Sequence, residues 1–482
     1  MLLTPTFLRK TLAALGAPLL ALLAQTSYGQ AQPTDTRIPA AVEAALQRAK
    51  IPREAVSLLV MNVDGKTAPS LAWRTQQPMN PASVMKLVTT YAALDQLGPA
   101  YVWRTPVYLG GPVVDGALRG NLYIQGQGDP KLVVERLWLM LRRLQGMGIK
   151  VIVGDIVLDR SAFQLPAHDA AGFDNEPWRP YNASPDALLI NYKAVAVNIA
   201  PDVGAGVARI QYDPPMFGMD NQQTLGLAAP NADCGDWRSK MQLDMAKPQR
   251  IAFNGSYPAS CGDKSWSIAP AQPERFAAKA MEGMWRELGG KLTGSVRDGS
   301  VPQGLQSALQ LESPALSEVV RDVNKYSNNI MAQHVLLTLG MQRTGATNFD
   351  LARQSLAQWW TARLGNVEQP VVDNGAGLSR NASITANGLG RMLQSAWASP
   401  VMPEFVSSMP IVGVDGTLRR SRSKFAGAAH LKTGSLRDST ALAGYVDGVS
   451  GQRYVLVAMA NHANAAAARA AWDALVDWTA AQ

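Results

Sequence analysis

Two ends of similar texture enclose a middle of a different one, and that arrangement limits the architectures open to this 482-residue chain. Residues 38–49 are amphipathic, with Pro39 where the first turn of a helix accepts proline. Residues 55–63 (AVSLLVMNV) read as a strand that ends at the Asp64-Gly65 turn, with 70–74 as its partner. Strand texture returns at 430–433, 441–446 and 454–461, followed by an Ala-rich helix over 465–479. Two early strands, three late strands and a helix at each end predict one antiparallel sheet closed by both termini. Between 104 and 307, short β-like runs such as TPVYLGG, GNLYIQG and VIVGDIVLD alternate with Gly, Pro and Asp, and 274–288 is the one helix read there. Pro, Gly, Asn and Asp rise again over 202–267. The expected class is α+β, an antiparallel sheet with helices over 30–103 and 308–482. It is interrupted by a β-rich insert (104–201 and 268–307) that carries a smaller insert (202–267).

Residues 1–29 read as a signal peptide. Arg9 and Lys10 precede an apolar run over 11–24, too short for a membrane anchor, and small residues suit cleavage after Gly29 or Ala31. No later stretch is apolar enough to span a membrane, so the mature chain is expected in the periplasm. In that oxidising compartment Cys234 and Cys261, the only two cysteines, are predicted to pair. On the loop-entropy account such a bridge stabilises by roughly 3.5 kcal/mol. The net charge of +8 is spread without a polybasic run, which excludes a nucleic-acid footprint. Four histidines and two cysteines, with no HExxH or CxxC, give no metal or cofactor site.

Three short motifs carry chemistry: Ser83-Val84-Met85-Lys86, Ser327-Asn328-Asn329 and Lys432-Thr433-Gly434. Residues i and i+3 share a helix face, so a serine in the first turn points the same way as the lysine one turn on. The helix N-terminus favours negative charge on an attacking oxygen. A lysine acts as a base only when neutral, and burial or a second cation such as Lys432 lowers its pKa. Backbone N–H groups of Ser83 and Ser435 are candidates for an oxyanion hole. Each motif alone is weak, since a chain of this length holds roughly one or two SxxK by chance. Ser421-Arg422-Ser423-Lys424, Ser379-Arg380-Asn381 and Arg343-Thr344-Gly345 are look-alikes. Context separates them: Ser83 opens an apolar helix after Asn80-Pro81, whereas Ser421 sits in an arginine-rich loop.

The ordered trio resembles that of penicillin-binding proteins and related β-lactamases. Gly126-Gln127-Gly128-Asp129-Pro130, the run 373–381 (DNGAGLSRN) and the run 413–418 (GVDGTL) extend the resemblance over nearly all the mature chain. It is similar to the D-alanyl-D-alanine carboxypeptidase/endopeptidase family, the class C low-molecular-mass penicillin-binding proteins. The 244 residues separating Ser83 from Ser327 match that family's habit of inserting domains there. The resemblance implies a transpeptidase/β-lactamase-like domain acting on peptidoglycan stem peptides ending in D-Ala-D-Ala and acylated by β-lactam antibiotics. Ser83 would be the nucleophile, Lys86 its base and Ser327 a proton relay. Asn329 would hold the substrate amide and Lys432 and Thr433 the terminal carboxylate, with Gly434 and Ser435 also among the substrate-binding residues. Gln333 stands where the family usually has Glu, and its acidic insert patch is here FDNEPW, with Asp174 or Glu176 facing a cationic group of the peptide or forming an exposed loop. His334, His430 and Trp359-Trp360 read as packing residues. The sequence leaves the association state open, a homo-oligomer included.

Overall fold

Strand Val56–Asn62 is buried on both faces, the pattern of a strand covered twice. It pairs antiparallel with Leu71–Trp73 on one side and Arg453–Asn461 on the other. Ser439–Asp447 and then Ala429–Ser435 complete a five-stranded antiparallel sheet, with Ala429–Ser435 at one edge. The structure, a computed structural model, describes residues 36–482, apart from the side chains of 343 and 344. The signal-peptide expectation lies outside the described residues.

Side chains alternate across this sheet. Val56, Leu58 and Val60 face a layer formed by the helices Ala40–Arg48 and Arg469–Ala480, which lie together. Leu59 and Met61 face a larger core centred on the helix Lys86–Leu97. The first nine residues of that helix, Lys86 to Leu94, are all buried, because Leu316–Lys325, Asn329–Thr344, Phe349–Leu364 and Ala386–Trp397 surround it. Burying its Leu87, Val88, Tyr91 and Leu94 contributes about 1.5–3 kcal/mol each. Its polar groups are satisfied internally: Thr89 Oγ1 donates to Gly375 O and Thr90 Oγ1 to Lys86 O, both at 2.8 Å.

The antiparallel sheet and the α+β class agree with expectation, and the middle of the chain adds two features that the sequence did not show. Val134–Gly146 is a 13-residue helix in a stretch read as β-rich with 274–288 as its one helix. Leu137, Met140, Leu141 and Leu144 form its buried stripe, a helical spacing that the surrounding strand texture concealed. Parallel pairings are also present: Leu122–Gln125 with Ile156–Asp159, and Ile156–Asp159 with Val296–Asp298. Arg104–Leu109 joins Leu122–Gln125 to Ser307–Glu312, so the strands entering and leaving the middle region lie side by side. A further sheet holds Thr224–Gly226, Val207–Asp213, Val195–Asp202 and Lys264–Ile268 in that order. Beside it, Cys234 and Cys261 are joined by a disulfide with a Cα–Cα distance of 4.8 Å.

Candidate active site

The turn at Ser83 is fixed by reciprocal amide bonds. Asn80 N donates to Asn461 Oδ1 at 2.8 Å, Asn461 Nδ2 donates back to Asn80 O at 3.0 Å, and Asn80 Oδ1 accepts from Ala82 N at 2.9 Å. The end of strand Arg453–Asn461 thereby sets where the next helix begins. Ala82–Met85 is a 3-10 turn that runs straight into the α-helix Lys86–Leu97. Ser83 lies in that first turn, where backbone N–H groups have no intrahelical acceptor.

Lys86 is fully buried beneath Ser83. Its Nζ lies 2.9 Å from Ser83 Oγ, 2.6 Å from Asn329 Oδ1 and 2.6 Å from Ala376 O. Burial first, and the charge of Lys432 second, hold its pKa well below the ordinary lysine value. The run 373–381 forms the floor under this lysine. Asn374 braces it, with Oδ1 accepting from Ala376 N at 3.0 Å and Nδ2 donating to Leu378 O at 2.8 Å. At Gly377, with φ +73°, an added Cβ would run into the backbone carbonyl of Ala82, so the loop touches the nucleophile turn directly.

Ser327 connects the helices Leu316–Lys325 and Asn329–Thr344 in the left-handed region, at φ +58°. Such a conformation costs a non-glycine residue about 1–3 kcal/mol and persists where the surroundings hold it. Asn328 caps the second helix by accepting from Met331 N at 3.1 Å, which directs its own side chain away from the cleft. Ser327 Oγ is left facing Lys432 Nζ at 2.9 Å. Lys432 Nζ also donates to Thr433 O at 2.7 Å, and burial pushes its pKa down to about 7.

Strand Ala429–Ser435 presents its outer edge to the same place. Leu431 N donates outward to Pro410 O at 2.9 Å, and strand alternation turns the N–H groups of Thr433 and Ser435 to that side too. Gly434 lets the strand reach the nucleophile turn: a Cβ there would meet the Pro81 carbonyl and stand 3.0 Å from Ser83 N. Thr433 Oγ1 lies 2.8 Å from Thr417 Oγ1, within the 413–418 run. The structure therefore brings Ser83, Lys86, Ser327, Asn329, Lys432, Thr433, Gly434 and Ser435 together.

The resulting cleft has a volume of about 630 Å³. Ser83, Ser327, Asn329 and Ser435 line it, above the two buried lysines. Its other walls are Phe173, Asp174, Asn175 and Tyr181 from the middle region, and Arg380 and Arg437. Apart from Asp174, sequence reasoning did not place these residues in the cleft; the exposed aromatic-and-acid run 173–181 was the available signal. Asn329 is already engaged, since its Nδ2 donates to Tyr181 O at 3.3 Å while its Oδ1 accepts from Lys86. Asp174 accepts from Tyr181 OH at 2.8 Å and Asn182 Nδ2 at 2.7 Å. Burial would raise its pKa, but these hydrogen bonds outweigh that and lower it. Glu176 instead pairs with Arg179 at 2.8 Å.

The look-alikes are tied elsewhere. Ser421 Oγ donates to Asp473 and Ser423 Oγ to Asp477, each at 2.6 Å, while Lys424 is exposed. Ser379 Oγ accepts from Asn381 N and Ala382 N, a local turn. Thr344 ends a helix that Gly345 caps. His334 is fully buried, with Nδ1 2.9 Å from Gly128 O and Nε2 3.3 Å from Asp186 N, and burial lowers its pKa to about 4. It joins its helix to the middle region. His430 lines a separate cavity of about 210 Å³ with Trp397 and Tyr445. Trp360 is fully buried, and Trp359 donates to Asp95 at 2.8 Å. Among the described residues no acidic, His or Cys group suits a metal ion, and no helix is long and apolar enough to cross a membrane.

This arrangement has relatives. The crystal structure of penicillin binding protein 4 (dacB) from Haemophilus influenzae superposes with a TM-score of 0.71 at 22% identity, covering 90% of this chain and 99% of that one. The chain is 29% identical over 414 residues to a D-alanyl-D-alanine carboxypeptidase of Actinomadura sp. (strain R39), spanning 82% of this chain and 76% of that protein. It is 25% identical over 391 residues to the D-alanyl-D-alanine carboxypeptidase DacB of H. influenzae, spanning 79% and 80%. The fold is thus of the penicillin-binding-protein type. A family model, the D-Ala-D-Ala carboxypeptidase 3 (S13) family, matches residues 38–482, and the chain belongs to that family of serine-type carboxypeptidases.

Proposed function

We propose that this protein is an exported D-Ala-D-Ala carboxypeptidase/endopeptidase that works through an acyl-enzyme at Ser83. The observation that carries the reading is the 2.9 Å contact between Lys86 Nζ and Ser83 Oγ, made by a lysine whose pKa is depressed by burial and by Lys432. A neutral amine has two hydrogens to donate and one lone pair. The oxygens of Asn329 and Ala376 accept the two hydrogens, so the lone pair is left for the Ser83 hydroxyl. Ser83 Oγ bonds to the peptide carbonyl carbon as Lys86 takes its proton, and the N–H groups of Ser83 and Ser435 stabilise the oxyanion. The C–N bond then breaks, Ser327 relays a proton to the leaving amine, and water releases the acyl group. Lys432 and Thr433 receive the terminal carboxylate. Asn329 holds the substrate amide through the second hydrogen of its Nδ2. Asp174 faces a cationic group of the peptide.

In this reading residues 30–103 and 308–482 form the catalytic domain, 104–201 and 268–307 the insert, and 202–267 the nested segment. Residues 1–29 direct the chain to the periplasm. Penicillins acylate the same serine, a reading supported by the H. influenzae relative crystallised in complex with a β-lactam. The test is D-alanine release from a stem pentapeptide ending in D-Ala-D-Ala. Wild type should release it and Ser83→Ala should not. Rapid penicillin hydrolysis without D-alanine release would mark a β-lactamase instead.

A further inference from the structure

The segment 168–184 has two working faces. Phe173, Asp174, Asn175 and Tyr181 line the catalytic cleft, while His168, Asp169, Trp178 and Arg179 line a second cleft of about 950 Å³. Across that second cleft stand Arg238 and Gln242, on and just after the helix Trp237–Met241, and Trp266 on the strand Lys264–Ile268.

Both walls are held in place. Asp236 caps the helix by accepting from Ser239 N at 3.4 Å and also accepts from Ser239 Oγ at 2.7 Å, and the Cys234–Cys261 bridge closes the chain beside it. Trp237 packs edge-on against Tyr257 and Trp266, with the Arg238 guanidinium 4.4 Å over the Trp237 ring. On the other side Ala269 N donates to Trp178 O at 2.9 Å, and Asp174 fixes Tyr181 and Asn182. A preformed, largely apolar cleft with a few convergent polar groups is the usual form of a ligand site, at about 300–1,000 Å³.

The lining selects a ligand class. Trp178 and Trp266 are each only partly buried, so indole surface remains open to the cleft. Around them are a guanidinium, side-chain amides and carboxylates, which suit hydroxyl and N-acetyl groups. Arg179 is paired with Glu176, and Asp169, Asp236 and Glu274 offset Arg238, so the cleft has no cationic excess for a polyanion. An uncharged ring with apolar C–H faces and polar edges fits this lining.

We infer that the second cleft binds the N-acetylated amino-sugar chain from which the stem peptides branch. The inference rests on the proposed function, which makes a peptide of such a polymer the substrate. A single loop then contacts the peptide on one face and the sugar chain on the other.

The test compares a free stem pentapeptide with the same pentapeptide on an amino-sugar tetrasaccharide. In wild type the sugar-linked form should have a KM about tenfold lower, the scale of one aromatic-stacking contact with its polar partners. Trp266→Ala and Arg238→Ala should each erase that advantage while leaving kcat, and turnover of the free peptide, within about twofold. Calorimetry with the N-acetylglucosamine tetramer should show binding to wild type that Trp266→Ala loses. Equal KM values for the two substrates in wild type, or equal losses on both in Arg238→Ala, would overturn the inference. So would a Trp266-dependent KM gain from lengthening the peptide in place of the sugar, which would make the cleft a peptide site. If wild type releases no D-alanine from either substrate, the proposed function fails, and the calorimetry still decides whether the cleft binds amino sugar.

Discussion

Lys86 and Asn329, 243 residues apart in the chain, meet at 2.6 Å between Nζ and Oδ1. The contact does more than fill a hydrogen bond. In the proposed mechanism Asn329 accepts a hydrogen bond from the neutral lysine and so helps turn its lone pair toward Ser83. Asn329→Ala should leave the fold intact and slow acylation by about 10²–10³-fold, the scale of a misplaced general base. The rate of labelling by a fluorescent penicillin measures it. Labelling at the wild-type rate would show that Asn329 does not orient the lysine.

Lys432 should make activity and stability respond to pH in opposite directions. Burial lowers the pKa of Lys432 from 10.5 to about 7, so its charge is lost as pH rises through that value. Recognition of a terminal carboxylate should weaken on the same limb, and kcat/KM should fall above pH ~7 for a free-acid substrate but less for its C-terminal amide. Identical alkaline limbs for the two substrates would contradict this.

For stability, the unfolded chain holds the Lys432 proton up to about pH 10.5 while the folded chain gives it up near 7, so unfolding takes up protons between those values. The destabilisation is full below pH ~7 and fades toward 10.5. Lys432→Met should therefore raise Tm at pH 7 and flatten the rise of Tm between pH 7 and 10, while impairing turnover. A wild-type Tm that does not rise over that window, apart from alkaline effects shared by Lys432→Met, would exclude a depressed lysine.

Gly434→Ala tests the closeness of strand and nucleophile turn. The new methyl would collide with Pro81 O and crowd Ser83 N, so the strand must shift. Overpacking of this kind costs about 1–3 kcal/mol. Acylation should fall far more than stability does, because Ser435 N–H moves with the strand. Thermal melts alongside labelling rates separate the two effects.

What was legible in the sequence was mostly local. SxxK at the start of an apolar helix, and the late strands, each announce themselves by spacing within a dozen residues. The look-alike at Ser421 could be set aside because its neighbours are arginines, and the structure ties it to Asp473 and Asp477. What was not legible was non-local. The helix Val134–Gly146 was hidden among strands, and the parallel partners of Ile156–Asp159 depend on which strands the crossovers bring together. The far wall of the cleft, Phe173 to Tyr181, reaches Asn329 across 148 residues through a backbone carbonyl, which no side-chain pattern encodes.

The central claim is that Ser83 is the residue acylated and Lys86 is what makes it reactive. Intact-mass and peptide mapping after exposure to penicillin test it most directly, on wild type, Ser83→Ala, Lys86→Ala and Ser421→Ala. One penicillin adduct is expected on the peptide containing Ser83 in wild type and Ser421→Ala, and none in Ser83→Ala or Lys86→Ala over the same exposure. An adduct persisting in Ser83→Ala, or mapping to Ser421, would contradict the account.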